Sequence, residues 1–356
     1  MNQMNQPLVS VLISSYNHDK YIEDCLESLF NQTYPNFEVI IRDDGSTDNT
    51  VKKIKSFISS LNLNTIIVTE YGTNIGLIKS INWMLEKAKG EIIQGCASDD
   101  ILMPDKLKRV VELFNNFPEI DLLFSDAEII DANGKTLNRS YSKRNGHYFF
   151  ESFSKDIDKN TSIIQDLDIK RVINSAFAGV GFSFRRRLLQ CHNYKFPEML
   201  KYEDNYLTFL GLVNRGIIVS KERLTKYRRH GLNFSSFNKI SKDEIIKDEA
   251  KLCKWNLTID YAKLNYLKKK LPVNSIFQSK RRKMIFLVKQ NQLKNRMVIK
   301  LSENESYFFY WLQLFCYLLL GPKNFSSLKY FFYGISRKRF SNFLEKLYRS
   351  RKAVLM

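Results

Sequence analysis

Two adjacent carboxylates, Asp99 and Asp100, close a short and mostly apolar run that starts at Gly90-Glu91-Ile92-Ile93 and continues into Ile101-Leu102-Met103-Pro104. A buried strand that ends on acids delivers them to the edge of a sheet, and ligands of open α/β sheets bind just beyond the carboxyl ends of strands. Two acids there suit a hard divalent cation, and such a cation suits a diphosphate. The competing reading is a solvated turn, or an Asp capping a helix that begins near Pro104.

Other polar residues occupy comparable places. Val9–Ile13 runs into Ser14-Ser15-Tyr16-Asn17, where the Tyr16 ring is placed to stack on a pyrimidine and Ser14 offers a hydroxyl or backbone group; a strand end with a half-buried Tyr is the plain alternative. Phe37–Ile41 reaches Asp43-Asp44-Gly45-Ser46-Thr47-Asp48. There a strand-end carboxylate can accept a ring N–H, although Asp43, Asp44 and Ser46 also suit a turn that caps the next helix, a reading that fits Ser46 and Asp48 better than Asp44. Glu203-Asp204 opens an apolar helix, a position that capping and the helix dipole favour in any case. His230 is either a further metal or phosphate contact, since imidazole suits Mn²⁺ better than Mg²⁺, or a structural histidine.

The elements needed to position these groups follow from periodicity. Strands at Val9–Ile13, Phe37–Ile41, Thr65–Val68 and Ile92–Gly95 alternate with helices over about 22–30, 49–60 and 77–88. Such alternation predicts an α/β fold: a Rossmann-like, mostly parallel sheet flanked by helices, whose right-handed crossovers put the strand ends on one rim. A helix after Pro104 and a strand at Ile120–Phe124 follow, then a polar, irregular stretch over 131–170 with a hairpin turn at Asn133-Gly134. Apolar structure resumes at Ala176–Phe184, and a short strand is expected at Ile217–Val219.

Val9–Asn17, Asn31-Gln32-Thr33-Tyr34-Pro35, Asp43–Asp48, Gly90-Glu91 through Asp99-Asp100, Tyr202-Glu203-Asp204 and Tyr227-Arg228-Arg229-His230 together resemble the family 2 glycosyltransferases, over roughly residues 7–236 and in that family's order. The resemblance implies the GT-A fold and inverting transfer from a nucleotide-diphosphate sugar. It also implies Ser14 and Tyr16 beside the base, Asp44 on the base N–H, and Lys79 facing the phosphates unless it is a solvated surface lysine. Asp99 would lie near ribose and metal and Asp100 would ligate Mg²⁺ or Mn²⁺, with His230 as an added contact. Asp204 would be the general base on the acceptor hydroxyl. The acceptor would be a glycan or lipid-linked saccharide in polysaccharide biosynthesis. A sugar-phosphate nucleotidyltransferase would want a Gly-rich loop after the first strand, and Ser14-Ser15-Tyr16-Asn17 has no glycine. A non-enzymatic basic nucleotide-binding scaffold is the third reading.

The 356 residues carry a net charge of +19, of which +18 lies in 239–356, where 26 Lys and Arg face 8 Asp and Glu. This asymmetry predicts two parts with different partners, the second, 239–356, basic and mainly helical; the resemblance implies that 1–238 is the catalytic part, with the nucleotide sugar on about 7–130 and the acceptor on about 131–238. Charge alone speaks for nucleic acid, with no recognition motif beside it, so none is expected as a partner. Tyr307–Leu320 has one polar residue, Gln313, yet as a helix it would be about 21 Å long, short of a bilayer core. It reads as a buried helix or as an interfacial segment whose basic flanks favour anionic headgroups. Five scattered cysteines without a CxxC pair, and a polar start without signal-peptide character, lead us to expect a cytoplasmic protein, and the basic tail adds the expectation of peripheral contact on the cytoplasmic face of the membrane.

Overall fold

The computed structural model describes residues 6–61, 67–140, 155–165, 182–231, 233, 242–269, 278 and 280–302. Its first half is a βα alternation: β1 (Val9–Ser15), α1 (Ile22–Phe30), β2 (Phe37–Asp43), α2 (Thr50–Ser60), β3 (Ile67–Tyr71), α3 (Leu77–Lys87) and β4 (Ile92–Ala97). β1 pairs in parallel with β2, from Val9↔Phe37 to Ser15↔Asp43, and with β4, from Val9↔Ile92 to Ser14↔Ala97. β3 pairs in parallel with β2. Because these registers run to the strand ends, the residues after Ser15, Asp43 and Ala97 emerge along one rim.

The second half extends the sheet. β5 (Ile101–Leu102), α4 (Lys106–Asn116), β6 (Leu122–Ile130), β7 (Thr136–Ser140), β8 (Lys155–Asp156), β9 (Thr161–Ile164), β10 (Phe182–Arg185), α5 (Asp204–Asn214) and β11 (Ile217–Arg228) give the order β3-β2-β1-β4-β10-β6-β11-β9-β8. β10 lies antiparallel between β4 and β6, while β11 runs parallel to β6. The short strand expected at Ile217–Val219 is therefore twelve residues long. Irregular register between Ser220 and Thr225 carries it on to pair Thr225 with Leu102, so its last residues arrive beside the turn after β4.

The polar stretch expected to be irregular contains strands as well. Asp131 accepts the N–H groups of Asn133 and Lys135 around Gly134 (φ +82°), closing the β6–β7 hairpin, and β8–β9 lines the sheet edge. These strands are short, and β7 carries a single apolar residue, Leu137, so no alternation marks them in the sequence. Residues 166–181, including most of Ala176–Phe184, lie outside the described residues, as does Tyr307–Leu320.

The sheet is covered on both faces. Val9, Val11, Ile13, Val39 and Ile41 face α1 and α4, which contribute Ile22, Leu26, Leu29, Leu107, Val110 and Phe114, all buried. The intervening Leu12, Ile40 and Ile93 are buried too, and α3 packs on β1 and β2 with Ile78, Ile81 and Leu85. Continuous apolar strands result, as a sheet covered on both sides requires.

Contacts divide the chain into two compact units, 1–230 with 265–284 and 231–264 with 285–356. Nearly all described residues of the second lie in the helices α6 (Lys242–Lys268) and α7 (Arg281–Ser302), each of which also runs into the first. Within the second Ile259, Ala262, Leu264, Val288 and Ile299 are buried, and Asn295 donates to Asp260 at 3.0 Å. Among the described residues no helix is long and apolar enough to cross a membrane.

Candidate active site

The rim is held by side chains reaching between loops. Asn17, in the left-handed region (φ 54°), donates its N–H to Ser46 Oγ at 2.8 Å and accepts from Thr47 N–H at 2.8 Å. Asp43 accepts the N–H and hydroxyl of Ser46, and Asp48 accepts both groups of Thr50 at the start of α2. These residues therefore form the turn and cap that their types suggest. Asp44 behaves differently. It is buried, and its oxygens accept the N–H groups of Ile75 (2.8 Å) and Gly76 (2.9 Å) and the Ser80 hydroxyl (3.0 Å), with the Arg42 guanidinium at 3.7 Å. It thus ties the end of β2 to the start of α3. Tyr16 is 47% exposed above this framework, Ser14 is half-buried, and Lys79 is exposed on α3.

The opening pair of acids sits in a tight turn. Ser98 N–H donates to Ser14 O, and Asp100 N–H to Ala97 O. Neither acid caps α4, whose N-cap is Asp105. Asp99 Oδ2 accepts from His230 Nε2 at 3.0 Å and lies 3.9 Å from His18 Nε2, while His18 Nδ1 is 2.8 Å from Ser98 Oγ. The ligand atoms of His18, Asp99 and His230 all lie within 4.8 Å of one another. A carboxylate with two imidazoles is a donor set that fits a divalent first-row cation. Asp100 turns one oxygen to the Arg228 N–H at 3.0 Å; burial, followed by the charge of Asp99, holds its carboxyl well above the usual range. Burial lowers the His18 imidazole, partly offset by Asp99.

Arg228 holds this corner together. Its side chain is buried and donates to the Asp99 carbonyl (3.0 Å), the Ala132 carbonyl (3.1 Å) and Asp24 of α1 (2.7 Å). Its guanidinium lies 4.9 Å from the Tyr21 ring, which in turn packs on His230 at 4.7 Å. His18, Tyr21 and the structural role of Arg228 escape a reading of spacing, because residues 18, 99 and 228 meet only through the sheet order. The one local signal for His18 is that it follows Tyr16-Asn17 on the rim.

On the opposite side α5 opens at Asp204, with Glu203 as N-cap but making no side-chain cap bond. Asp204 Oδ1 accepts the N–H of Asn205 at 2.6 Å. Burial, then the charge of Asp204, pushes the Glu203 carboxyl up to about 7. Glu203 and Asp100 line one cavity of about 150 Å³ together with Ser14, Ala97, Phe182 and Phe196. The start of α5 and the end of β4 thereby open onto the same space.

The model of glycosyl transferase family 2 matches residues 10–188, half of the chain. The chain belongs to glycosyl transferase family 2 and is a glycosyltransferase with a GT-A type fold. It is 29% identical over 245 residues to an uncharacterized glycosyltransferase of Haemophilus influenzae, covering 68% of this chain and 72% of that one. It is also 30% identical over 237 residues to EpsH of Bacillus subtilis, which carries a provisional glycosyltransferase name; here the shares are 64% and 62%. Among solved structures, S. aureus TarS 1–349 in complex with UDP-GlcNAc aligns with TM-score 0.51 at 20% identity, over 87% of this chain and 88% of TarS. The mannosyltransferase PcManGT of Pyrobaculum calidifontis, in complex with GDP-Man and Mn²⁺, aligns with TM-score 0.50 at 15% identity, over 88% and 86%. At these identities the likeness is one of fold.

Proposed function

We propose that the chain moves a sugar from a nucleotide-diphosphate sugar, UDP-linked, to a hydroxyl of a glycan or lipid-linked saccharide, inverting the anomeric centre. The observation that carries this reading is the shared cavity, onto which Asp100 of the rim and Glu203, the neighbour of Asp204, both open. Nucleotide-sugar complexes of TarS and PcManGT accord with a donor of this class.

In this reading Tyr16 stacks on the base and Ser14 borders it. Asp44 has two of its lone pairs on the Ile75 and Gly76 amides, which fixes the loop framing the base, and a further lone pair takes a ring N–H. Lys79, exposed one turn into α3, faces the phosphates. Asp99, Asp100 and His230 would hold Mg²⁺ or Mn²⁺, which when bound neutralises charge on the departing diphosphate. Asp204 takes the proton of the acceptor hydroxyl as its oxygen bonds to C1 and the C1–O bond to the diphosphate breaks. Glu203, neutral over much of the pH range below 7, keeps a second negative charge away from that base.

The test is a panel of nucleotide sugars, read by cation-dependent release of the free nucleotide. One donor should be turned over with Mn²⁺ or Mg²⁺, and Asp100→Ala should lose the cation dependence. Release that is indifferent to both would sink the assignment. Asp204→Asn should abolish transfer while nucleotide-sugar affinity stays within a few-fold; an equal loss of affinity would make Asp204 a structural residue.

A further inference from the structure

We propose that His18 is a further protein ligand of the cation, beside Asp99, Asp100 and His230, and that it makes the site prefer Mn²⁺ to Mg²⁺. The proposal deepens the reading above, from which it takes only that a nucleoside diphosphate shares the cation.

His18 is held with unusual completeness for a residue in a surface turn. Its N–H donates to Thr50 Oγ1 at 2.9 Å, and its carbonyl accepts the N–H groups of Tyr21 and Ile22 at the start of α1, both at 3.0 Å. On the ring, Nδ1 meets Ser98 Oγ at 2.8 Å, and Ser98 is fully buried and itself bound to Ser14. With Nδ1–H donated to that hydroxyl, the lone pair of Nε2 points to the side where Asp99 Oδ2 lies 3.9 Å away. This is the second-shell arrangement that sets the tautomer of a ligating histidine. The rings of His18 and His230 stand nearly perpendicular, at 87° with centroids 5.5 Å apart, so both nitrogens converge on Asp99 without stacking. Tyr21 borders both rings, at 6.0 and 4.7 Å.

The chemistry follows from the donors. Carboxylate and diphosphate oxygens alone suit Mg²⁺, which dehydrates reluctantly and favours oxygen. Two imidazole nitrogens move the preference towards Mn²⁺ and its first-row neighbours. The Ser98-Asp99-Asp100 turn thus supplies its two acids and through Ser98 orients a ligand that is remote in sequence.

The test uses the full chain with UDP. Mn²⁺ binding is followed by electron paramagnetic resonance, and Mg²⁺ binding by competition. The wild type should bind Mn²⁺ about tenfold more tightly than Mg²⁺ or better. His18→Asn keeps an amide at the position of Nδ1 but has no atom at Nε2, and should weaken Mn²⁺ about tenfold while changing Mg²⁺ less than about threefold. His18→Gln puts an oxygen near the Nε2 position and should narrow the Mn²⁺ preference without abolishing cation binding. Electron spin-echo modulation on the wild type requires no variant and should report two imidazole nitrogens on Mn²⁺. One nitrogen, or an equal fall of both cations in His18→Asn, overturns the role of His18. Failure of the wider reading looks different: the wild type would then turn over no nucleotide sugar with any cation.

Discussion

Glu203 and Asp204 show how two neighbouring acids acquire different chemistry. Both were legible from sequence as helix-opening residues, but the division between them was not, since it depends on which side chain faces the cavity. Glu203 is held to a folded pKa of about 7 against an ordinary value near 4.5. The folded state therefore binds more protons than the unfolded chain between those two values. The stability linked to Glu203 is full below about pH 4.5 and is lost as pH rises through 7. Glu203→Gln should remove that slope and should be more stable than the wild type at pH 8, as urea titrations at pH 5 and pH 8 would reveal. An unchanged slope would mean that another group carries it. The same limit applied at the metal corner: Asp99, Asp100 and His230 stood out by type and spacing, whereas His18 read as one more polar residue after Tyr16-Asn17.

Elements were easier to foresee than the strand that completes the site. The parallel core β3-β2-β1-β4 follows from apolar runs with intact periodicity, and its registers align the rim without further instruction. β11 has no such uniform pattern, because after four buried residues Lys221 and Arg223 are exposed and its end mixes buried and half-buried positions as it bends. Only its first three residues look like a buried strand. Yet that bend is what brings Arg228 and His230 to the turn after β4. Arg228→Met should cost roughly 3 kcal/mol, since the carbonyls of Asp99 and Ala132 lose a buried donor. It should also weaken cation binding, through the position of Asp99, more than it weakens binding of the nucleotide alone. At the opposite edge, Gly90 lies where a Cβ would stand 2.6 Å from the Ser10 nitrogen and 2.7 Å from the Leu8 carbonyl. Backbone on both sides cannot yield, so Gly90→Ala should destabilise by about 1–3 kcal/mol in chemical denaturation, with no direct effect on the rim.

At the scale of the whole molecule, charge and chemistry are segregated along the chain. Every residue assigned to donor, cation or base lies within 14–230, while the segment 239–356 carries +18. We propose that this segment gives peripheral contact with anionic lipid, which suits a lipid-linked acceptor. The full chain should sediment with vesicles containing acidic lipid, release as salt rises from about 0.1 to 0.5 M, and ignore vesicles of neutral lipid. Equal retention on duplex DNA at moderate salt would reduce the effect to charge alone. Composition made the asymmetry plain; the partner it serves depends on residues 307–320, which composition describes as apolar and no more.

The bond from Arg228 to Asp24 has a consequence for the order of events during synthesis. The two residues are 204 positions apart. At ordinary elongation rates of about 5–20 residues per second, some 10–40 s separate their emergence from the ribosome. Once Asp99 has emerged, and until Arg228 follows 129 positions later, the nascent chain contains β1, β2, β3 and β4, along with Tyr16, Asp44 and Asp99, but neither the guanidinium that braces the turn nor His230. A chain that stalls before β11 is therefore left with the parallel half of the sheet and its rim loops, but without the guanidinium and imidazole that complete the turn after β4.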